Sequence, residues 1–384
     1  MGEIISPGYY FCGGVKRIVC TIIKKWVIAL KAMKAIRTGS ILSLDIGSML
    51  TKVVIGKDGK KGVEIEKAFL FNTPVDTVSD GHILDVASLG AEIKNQLETR
   101  NITTKQIIFT ISSTEVVTRE LLLPSVKNKE IQQLIVFEVE KLLPIQLEQY
   151  ILDYSVLEKV KEDATIKSKI FVAALPKAIA QGYWQLADLL QLKPLSLTIH
   201  ACSISQLFQQ QVQLNGRDLD RDNTVALVDI GYKGTECNVM SDGKLLFHRT
   251  VNVGGKSFIA ENLFPSMAQE EVAAGGFQLE PQTIARNTQG NDLGSINMEK
   301  LGNWLQEIRK VIWYFTGMNT ENKIDNIILT GGCTEDIPGL ATYVGDAMKI
   351  RAEILETISL VSSEENGENS LKYYLNAVGA IKRN

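Results

Sequence analysis

Two stretches of this chain share one pattern, and that repeat constrains the fold more than any other feature of the sequence. The first, 41–55, runs from apolar residues into Asp45-Ile46-Gly47, then through a short turn to Thr51-Lys52 and a second apolar run. The second, 225–239, has the same order around Asp229-Ile230-Gly231. The two aspartates are about one domain length apart. The repeat predicts two β-hairpins, one from each half of a duplicated α/β protein.

Each predicted hairpin carries groups that suit a phosphate tail. A glycine lets the backbone approach an anion closely because it has no Cβ, and an aspartate can hold a magnesium ion directly or through water. One Asp-x-Gly turn alone is common in ordinary hairpins, so the prediction depends on the repeat. The predicted phosphate-binding residues are Asp45, Gly47, Ser48, Thr51 and Lys52 in the first turn and Asp229, Gly231, Lys233 and Thr235 in the second, with Asp45 and Asp229 as metal ligands.

Two glycine pairs complete the pattern. The apolar run 327–330 ends in Gly331-Gly332, where a flat ring or a sugar could approach the backbone. The segment Gly254-Gly255-Lys256 follows the second hairpin. Two phosphate hairpins and a late glycine pair resemble the actin-like ATPase fold, which has two duplicated RNase H-like halves. The resemblance implies ATP with Mg²⁺ in a cleft between the halves, and the glycine pairs beside its sugar and base.

Composition excludes several other classes. Hydrophobic residues make up 45% of the 384 residues, charged residues 22%, and the net charge is −3, so nothing indicates nucleic acid as a main partner. The five cysteines form no Cys-x-x-Cys pair, which argues against a zinc site or a disulfide framework and suits a reducing cytoplasm. The three histidines are far apart in sequence, so no metal cluster is predicted around them.

The first forty residues differ from the rest. Residues 15–37 can form a helix with basic residues on one side and apolar residues, Trp26 among them, on the other. Such a helix can lie on an anionic membrane surface. Its lysines are too frequent for a bilayer span, and it lacks the uncharged core of a signal peptide. The alternatives are an extension packed on the domain or a misassigned start codon.

Hydrophobic periodicity predicts the remaining elements. Strands are expected at 41–46, 51–56, 63–71, 82–84, 106–112 and 194–199, and helices at 86–100, 181–190, 201–213, 298–317 and 371–381. The helix at 201–213 would cross between the halves, and the last helix would close back between them.

The segment between the two hairpins is the most diagnostic. A helix with one apolar face carries Glu138-Val139-Glu140, Pro144 ends it, and Asp153-Tyr154-Ser155-Val156 begins a strand. This order resembles the PilM family of type IV pilus assembly proteins, relatives of the cell-division protein FtsA within the actin-like superfamily. The resemblance covers roughly residues 40 to 384. Similar segments also occur at 171–177, 192–197 and 253–258.

The resemblance implies an inserted subdomain, called 1C, in the first half. We therefore predict a basic extension at 1–38, the first part of subdomain 1A at 39–115, and 1C at 116–175. The chain would return to 1A with the crossing helix at 176–222, form the second half (2A and 2B) at 223–368 and end in the closing helix at 369–384. The resemblance also implies that Glu307, Arg309 or Lys310 of the long helix touches the nucleotide.

The resemblance implies partners as well. The chain would be a cytoplasmic scaffold at the inner face of the cell membrane, in contact with other type IV pilus platform proteins. It would bind the tail of a PilN-like bitopic membrane protein in a groove between subdomains 1A and 1C, involving residues 115–157. It would thereby couple the inner-membrane platform to the pilus extension motors.

One departure from the family pattern concerns turnover. Hydrolysis needs a residue that orients the attacking water, and the first crossing in the PilM family usually begins with Asp-x-Glu. The matching positions here are Thr198-Ile199-His200. A neutral histidine could accept a proton, but a histidine at a strand end is more often structural. We therefore expect weak or no ATPase activity.

Two alternatives stay open on sequence alone. An FtsA-like, polymer-forming division protein usually carries a C-terminal membrane-targeting helix, whereas this sequence ends Ala380-Ile381-Lys382-Arg383-Asn384. A sugar or acetate kinase of the same superfamily needs an acid near the acceptor hydroxyl and a substrate pocket. Neither is evident in the sequence.

Overall fold

The computed structural model describes residues 39–126, 128–142, 146–162, 165–209, 212–220, 222–259, 296–334, 337–363 and 371–382. The predicted helix at 15–37 and Pro144 lie outside these residues. None of the described helices is long and apolar enough to cross a membrane.

The described chain alternates strands and helices. The strands are β1 (Ile41–Ile46), β2 (Leu50–Gly59), β3 (Gly62–Asn72), β4 (Val78–Ser79), β5 (His82–Ile83), β6 (Gln106–Ile111), β7 (Val117–Pro124), β8 (Tyr150–Glu162), β9 (Thr165–Pro176), β10 (Lys193–Ile199), β11 (Gln213–Leu214), β12 (Arg217–Asp218), β13 (Val225–Ile230), β14 (Thr235–Ser241), β15 (Lys244–Val251), β16 (Asn326–Thr330), β17 (Arg351–Ile354) and β18 (Val361–Ser363). The helices are α1 (Val86–Thr99), α2 (Asn128–Leu142), α3 (Lys177–Leu189), α4 (His200–Phe208), α5 (Met298–Met318), α6 (Leu340–Met348) and α7 (Leu371–Ile381).

Two sheets with the same strand order form the two halves. The first has the order β10-β6-β1-β2-β3-β18, and the second has the order β15-β14-β13-β16-β17. In each, an antiparallel hairpin (β1–β2 or β13–β14) lies beside a parallel strand, β6 or β16. If the first sheet is read from β10 and the second from β17, the first five strands correspond one to one: β10, β6, β1, β2 and β3 match β17, β16, β13, β14 and β15. The predicted duplication is therefore confirmed.

The duplication extends to the register of the hairpins. Asp45 is opposite Lys52 across the first hairpin, and Asp229 is opposite Glu236 across the second. Each aspartate also has a threonine beside it on the parallel strand. The two aspartates are therefore equivalent positions of two copies of one unit, and only their hairpin partners differ in charge.

A small subdomain is inserted between β6 and α3. Its antiparallel sheet has the order β7-β9-β8, and α2 covers one face of it. The buried residues between helix and sheet are Leu121, Leu123, Ile131, Ile135, Val139, Ile170 and Val172. Apart from Pro176, the last residue of β9, these elements lie within the predicted segment 116–175.

Helices α4 and α7 pack against each other where the halves join. A Cβ at Gly379 would collide with the carbonyl oxygen of Ser203, so only glycine allows this approach. The crossing helix α4 ends at Phe208 rather than at residue 213, as the periodicity predicted. The physical reason is that Val212 and Leu214 are both buried at a spacing of two, which suits the short strand β11.

Candidate functional site

The first hairpin places a charged pair at the end of a buried strand. Asp45 is 1% exposed, and its Oδ2 lies 3.0 Å from Nζ of Lys52, its partner across the hairpin. The amide of Gly47 donates to the carbonyl of Leu50 at 3.0 Å and closes the turn. The turn therefore presents an aspartate and a lysine where β1 ends and β2 begins.

The second hairpin repeats the turn with a different partner. The amide of Gly231 donates to the carbonyl of Gly234 at 2.9 Å. Asp229 accepts a hydrogen bond on Oδ2 from Nδ2 of Asn376 at 2.8 Å. Asn376 belongs to α7, so the closing helix contacts the second hairpin directly.

One histidine joins the two hairpins. His200, the first residue of α4, lies with Nε2 3.1 Å from Oδ1 of Asp45 and with Nδ1 3.1 Å from Oε2 of Glu236. Asp45 belongs to the first sheet and Glu236 to the second. We call Asp45, Lys52, His200, Asp229 and Glu236 the cleft cluster. The two turns that the sequence predicts to close on one site thus share a single buried side chain.

The charges of the cleft cluster depend on one another. Burial would raise the pKa of Asp45, but Lys52 and His200 outweigh it and hold that pKa well below its usual range. Burial would lower the pKa of His200, but the carboxylates of Glu236 and Asp45 raise it to about 10. The pKa of Glu236 is lowered because His200 outweighs the effect of its burial. Two cations therefore lie among three carboxylates.

Asp229 differs from the other two carboxylates. Burial raises its pKa, and this effect exceeds the opposing attraction of His200 and Lys52. Lys52 in turn has a raised pKa, because Asp45 and Asp229 outweigh the effect of its burial. Lys52 therefore interacts with both aspartates of the duplicated pattern, one from each half.

Four glycines, at positions 231, 254, 255 and 331, allow close packing around the second hairpin. A Cβ at Gly254 would collide with the carbonyl oxygen of Gly231, and a Cβ at Gly255 with Sγ of Cys333. Gly331 has φ +97°, and a Cβ there would collide with Oδ1 of Asp229. The structure therefore brings the second turn, the pair at 254–255 and the late glycine together, although they are distant in sequence.

Comparison with known proteins identifies the family. A family model described as "Type IV pilus assembly protein PilM" matches residues 43–379, most of the chain. The chain belongs to the PilM family. It is thus a type IV pilus assembly protein of the actin-like class. Family membership favours the predicted pilus assembly protein over the FtsA-like and kinase alternatives.

One solved structure has the same fold as this chain, and a second is less similar. The structure entitled "PilM-PilN type IV pilus biogenesis complex" matches with a TM-score of 0.70 and 19% identity, over 90% of this chain and 98% of that chain. The ethanolamine utilization protein EutJ from Carboxydothermus hydrogenoformans has a TM-score of 0.46 and 11% identity, over 95% and 99% of the two chains. The predicted actin-like ATPase fold is confirmed.

Two threonines of the predicted site need correction. The hydroxyl of Thr51 is buried and lies 2.9 Å from the hydroxyl of Thr73. The hydroxyl of Thr73 in turn donates to the carbonyl of Gly47. The hydroxyl of Thr235 donates to the carbonyl of Val253 at 2.7 Å and accepts from Nε1 of Trp304 at 2.9 Å. Both hydroxyls therefore support the turns from inside the protein instead of facing a phosphate.

The other predicted residues lie at or near the protein surface. Ser48 and Gly332 are half-buried, and Lys233 and Lys256 are exposed beside the second turn. On α5, Glu307 and Lys310 pair with each other at 2.6 Å on an exposed face. Arg309 donates to the carbonyl of Ala347 at 2.8 Å. The predicted nucleotide contact of these three α5 residues stays a prediction.

The residues do not fit a magnesium ion held by both aspartates. Magnesium needs oxygen ligands, but each oxygen of Asp45 already lies about one hydrogen-bond length from a cation, Lys52 or His200. A divalent ion there would meet both positive charges. Oδ2 of Asp229 accepts the hydrogen bond from Asn376, so Oδ1 is the oxygen of Asp229 left for a metal ion. Direct coordination of a metal ion by Asp45 therefore does not fit this arrangement, and the ligand role of Asp45 stays a prediction.

A second candidate metal set also has its ligand atoms engaged. The ligand atoms of His200, Asp229 and Glu236 lie within 4.8 Å of one another, although the sequence predicted no metal cluster around a histidine. Nitrogen and oxygen together suit zinc or manganese better than magnesium. In this structure both nitrogens of His200 face carboxylates, so a metal ion would have to replace one of these two contacts.

Sequence reasoning missed three residues of the site. Glu236 and Asn376 were not singled out, and His200 was interpreted as structural. A signal was present for Glu236, because an acidic residue in the otherwise uncharged strand β14 needs a partner if it is buried. For Asn376 no such signal exists, because an asparagine in a closing helix is usually solvated.

The cleft cluster predicts a dependence of stability on pH. His200 has a folded pKa of about 10 against an ordinary value of 6.5. Its contribution to the free energy of unfolding is complete below pH 6.5 and is lost as the pH rises towards about 10. Between about pH 7 and about pH 9.5, wild type should lose on the order of 3 kcal/mol more than His200→Gln.

Urea unfolding of both proteins across this range provides the measurement. Cysteines and lysines also titrate in the unfolded chain, but their effect is common to both proteins and cancels in the difference. Parallel curves of unfolding free energy against pH would contradict a charged His200.

Proposed function

We propose that this chain is an ATP-binding scaffold of the type IV pilus inner-membrane platform, located at the inner face of the cell membrane. We also propose that it binds the cytoplasmic tail of a PilN-like membrane protein. The observation that carries the nucleotide site is the meeting of both hairpins at His200. Membership of the PilM family supports the pilus context.

The phosphates would lie against the two turns. Gly47, Ser48 and Lys52 would contact them from the first half, and Gly231 and Lys233 from the second. Lys52 is held in place by Asp45 at 3.0 Å, so its charge is already positioned before a ligand arrives. The remaining proposed contacts with phosphate, sugar and base are Gly254, Gly255, Lys256, Gly331 and Gly332.

The contacts of His200, Glu236 and Asp45 support weak or no hydrolysis. A general base must offer a lone pair to the attacking water. His200 has both ring nitrogens directed at carboxylates, and Glu236 faces His200 with one oxygen. Asp45 faces a cation with each of its oxygens. Bound ATP would then act on the angle between the halves, which a partner can read, and not mainly as a substrate.

Lys52→Met tests the nucleotide site. The substitution removes one positive charge at nearly constant side-chain volume. We expect the Kd for ATP to rise by at least about tenfold, because a charge-assisted contact with a phosphate is lost. Isothermal titration calorimetry gives the measurement, with circular dichroism to check the fold.

Lys94→Met is the matched control. Lys94 is an exposed lysine on α1 that pairs only loosely with Glu98, at 3.8 Å, and it should leave the Kd unchanged. Equal affinities for wild type and Lys52→Met would contradict the proposed site.

The tail would bind to the sheet of the predicted 1C subdomain, formed by β7, β9 and β8. We call it the 1C sheet, and the proposed binding face is the one directed towards the first half. Phe171 is buried in the large core of the first half. Leu122 is opposite Lys169, two residues from Phe171, so Leu122 and Phe171 share one face of the sheet. Leu122 is nevertheless 47% exposed. An exposed leucine beside this junction suits an apolar side chain of a bound peptide.

A contact links this subdomain to the second half. Lys244 of β15 pairs with Glu158 of β8 at 2.8 Å, and Glu158 is 3.9 Å from Lys169 of β9. These side chains are partly exposed, so the pairs add little stability. They do join the sheet of β7, β8 and β9 to β15 of the second half, so a change in the angle between the halves would reach the proposed peptide face.

Leu122→Asp tests the tail site. A synthetic peptide with the cytoplasmic tail sequence of a PilN-like protein, labelled for fluorescence anisotropy, is the probe. The Kd should rise by about tenfold or more, because burying one leucine contributes about 1.5–3 kcal/mol.

Phe137→Asp is the matched control for the tail site. Phe137 is 51% exposed but lies on α2, on the other side of the 1C sheet. It should leave the Kd for the peptide unchanged. If Phe137→Asp lost binding and Leu122→Asp bound normally, the tail would lie on the α2 side of the sheet. That result would contradict the proposal.

A further inference from the structure

The contacts of His200 determine its protonation. A neutral imidazole has one N–H and one lone pair. Both ring nitrogens of His200 lie 3.1 Å from a carboxylate oxygen, one on Asp45 and one on Glu236. A neutral ring would therefore direct a lone pair at a carboxylate in one of the two contacts. Only the doubly protonated ring, which is a cation, can donate in both.

This cation lies between carboxylates of the two halves. Asp45 lies near the end of β1 in the first sheet, and Glu236 belongs to β14 in the second sheet. The side chain of His200 is 9% exposed, and those of its partners are 2% and 6% exposed. A hydrated divalent ion between the two halves would compete with His200 for the same two carboxylates.

The positive charge of Lys52 and His200 also matches that of a divalent metal ion. Lys52 lies 3.0 Å from the second oxygen of Asp45, so Asp45 faces two cations from its own chain. Lys52 and His200 together carry two positive charges, as one magnesium ion does. Asp229 interacts with both of them as well.

We propose that Lys52 and His200 replace the divalent metal ion of this site, so that it binds a nucleoside triphosphate without metal. The inference rests on the proposed ATP site and specifies the form of the ligand: the free polyphosphate serves as well as its magnesium complex. His200 is the residue that determines this specificity.

The variant His200→Gln should restore a need for metal. Glutamine is neutral, so Asp45 and Glu236 would face the same side chain with only Lys52 to offset their charge. Such a pair attracts a divalent cation. Magnesium should then tighten ATP binding to the variant, although it does not tighten binding to wild type.

Calorimetric titration of ATP provides the test, in excess MgCl₂ and in excess EDTA. For wild type, the two Kd values should agree within about threefold, and for His200→Gln magnesium should lower Kd by about tenfold or more. His248→Gln is the matched control. His248 is also buried in the second half, but Nδ1 lies 2.8 Å from Oδ1 of Asn238 and not between two carboxylates. It should behave as wild type.

The outcomes separate the inference from the proposed function. If EDTA raises the wild-type Kd by tenfold or more, the inference is overturned and the ATP site stands. If wild type binds ATP in neither buffer, the proposed nucleotide function fails, and the inference fails with it.

A second readout does not depend on nucleotide or on the folding of a variant. The chain has three histidines, so ¹⁵N NMR of histidine-labelled wild type resolves few signals. One ring should show both nitrogens protonated near neutral pH and at about pH 8.5, where a free imidazole is neutral. If all three rings carry a single proton there, the internal cation does not exist and the inference is overturned.

Discussion

The structure depends on the pairing of one buried histidine with carboxylates from two sheets. Removing charges from water is costly, and a buried ion pair repays that cost only with good geometry and further hydrogen bonds. His200 meets Asp45 and Glu236 at 3.1 Å each. Breaking such an arrangement at one partner leaves an uncompensated buried charge, which typically costs about 3–5 kcal/mol. The two halves are therefore held together at His200, in the interior of the protein.

The duplicated architecture explains how these residues meet. Equivalent strands β1 and β13 deliver equivalent aspartates, and the hairpin partners have diverged to Lys52 in one half and Glu236 in the other. Strand β10 lies two strands from β1 in the same sheet, and α4 follows it directly. The first residue of α4 thus enters the space between the sheets. Helix α7 completes the arrangement when Asn376 binds Asp229 at 2.8 Å.

Much of this fold could be predicted from the sequence, for definite physical reasons. Apolar periodicity locates strands such as β1 and helices such as α5, because burial of one face determines which residues are apolar. The Asp-Ile-Gly repeat gives the duplication, and the segment after Glu138 gives the family. Pairings across the cleft could not be predicted, because they join residues as far apart as Asp45 and His200 through tertiary contacts alone. The same reason explains Thr51 and Thr235, whose hydroxyls bind Thr73, Val253 and Trp304.

A double-mutant cycle on unfolding free energy tests the central claim most directly. Asp45→Asn, Glu236→Gln and the double variant are compared with wild type by urea denaturation at neutral pH. If His200 joins the two carboxylates, their effects should depart from additivity by more than about 1 kcal/mol, since both act on one charged ring. Additivity within about 0.5 kcal/mol would show independent sites and would contradict a cleft closed by a shared histidine.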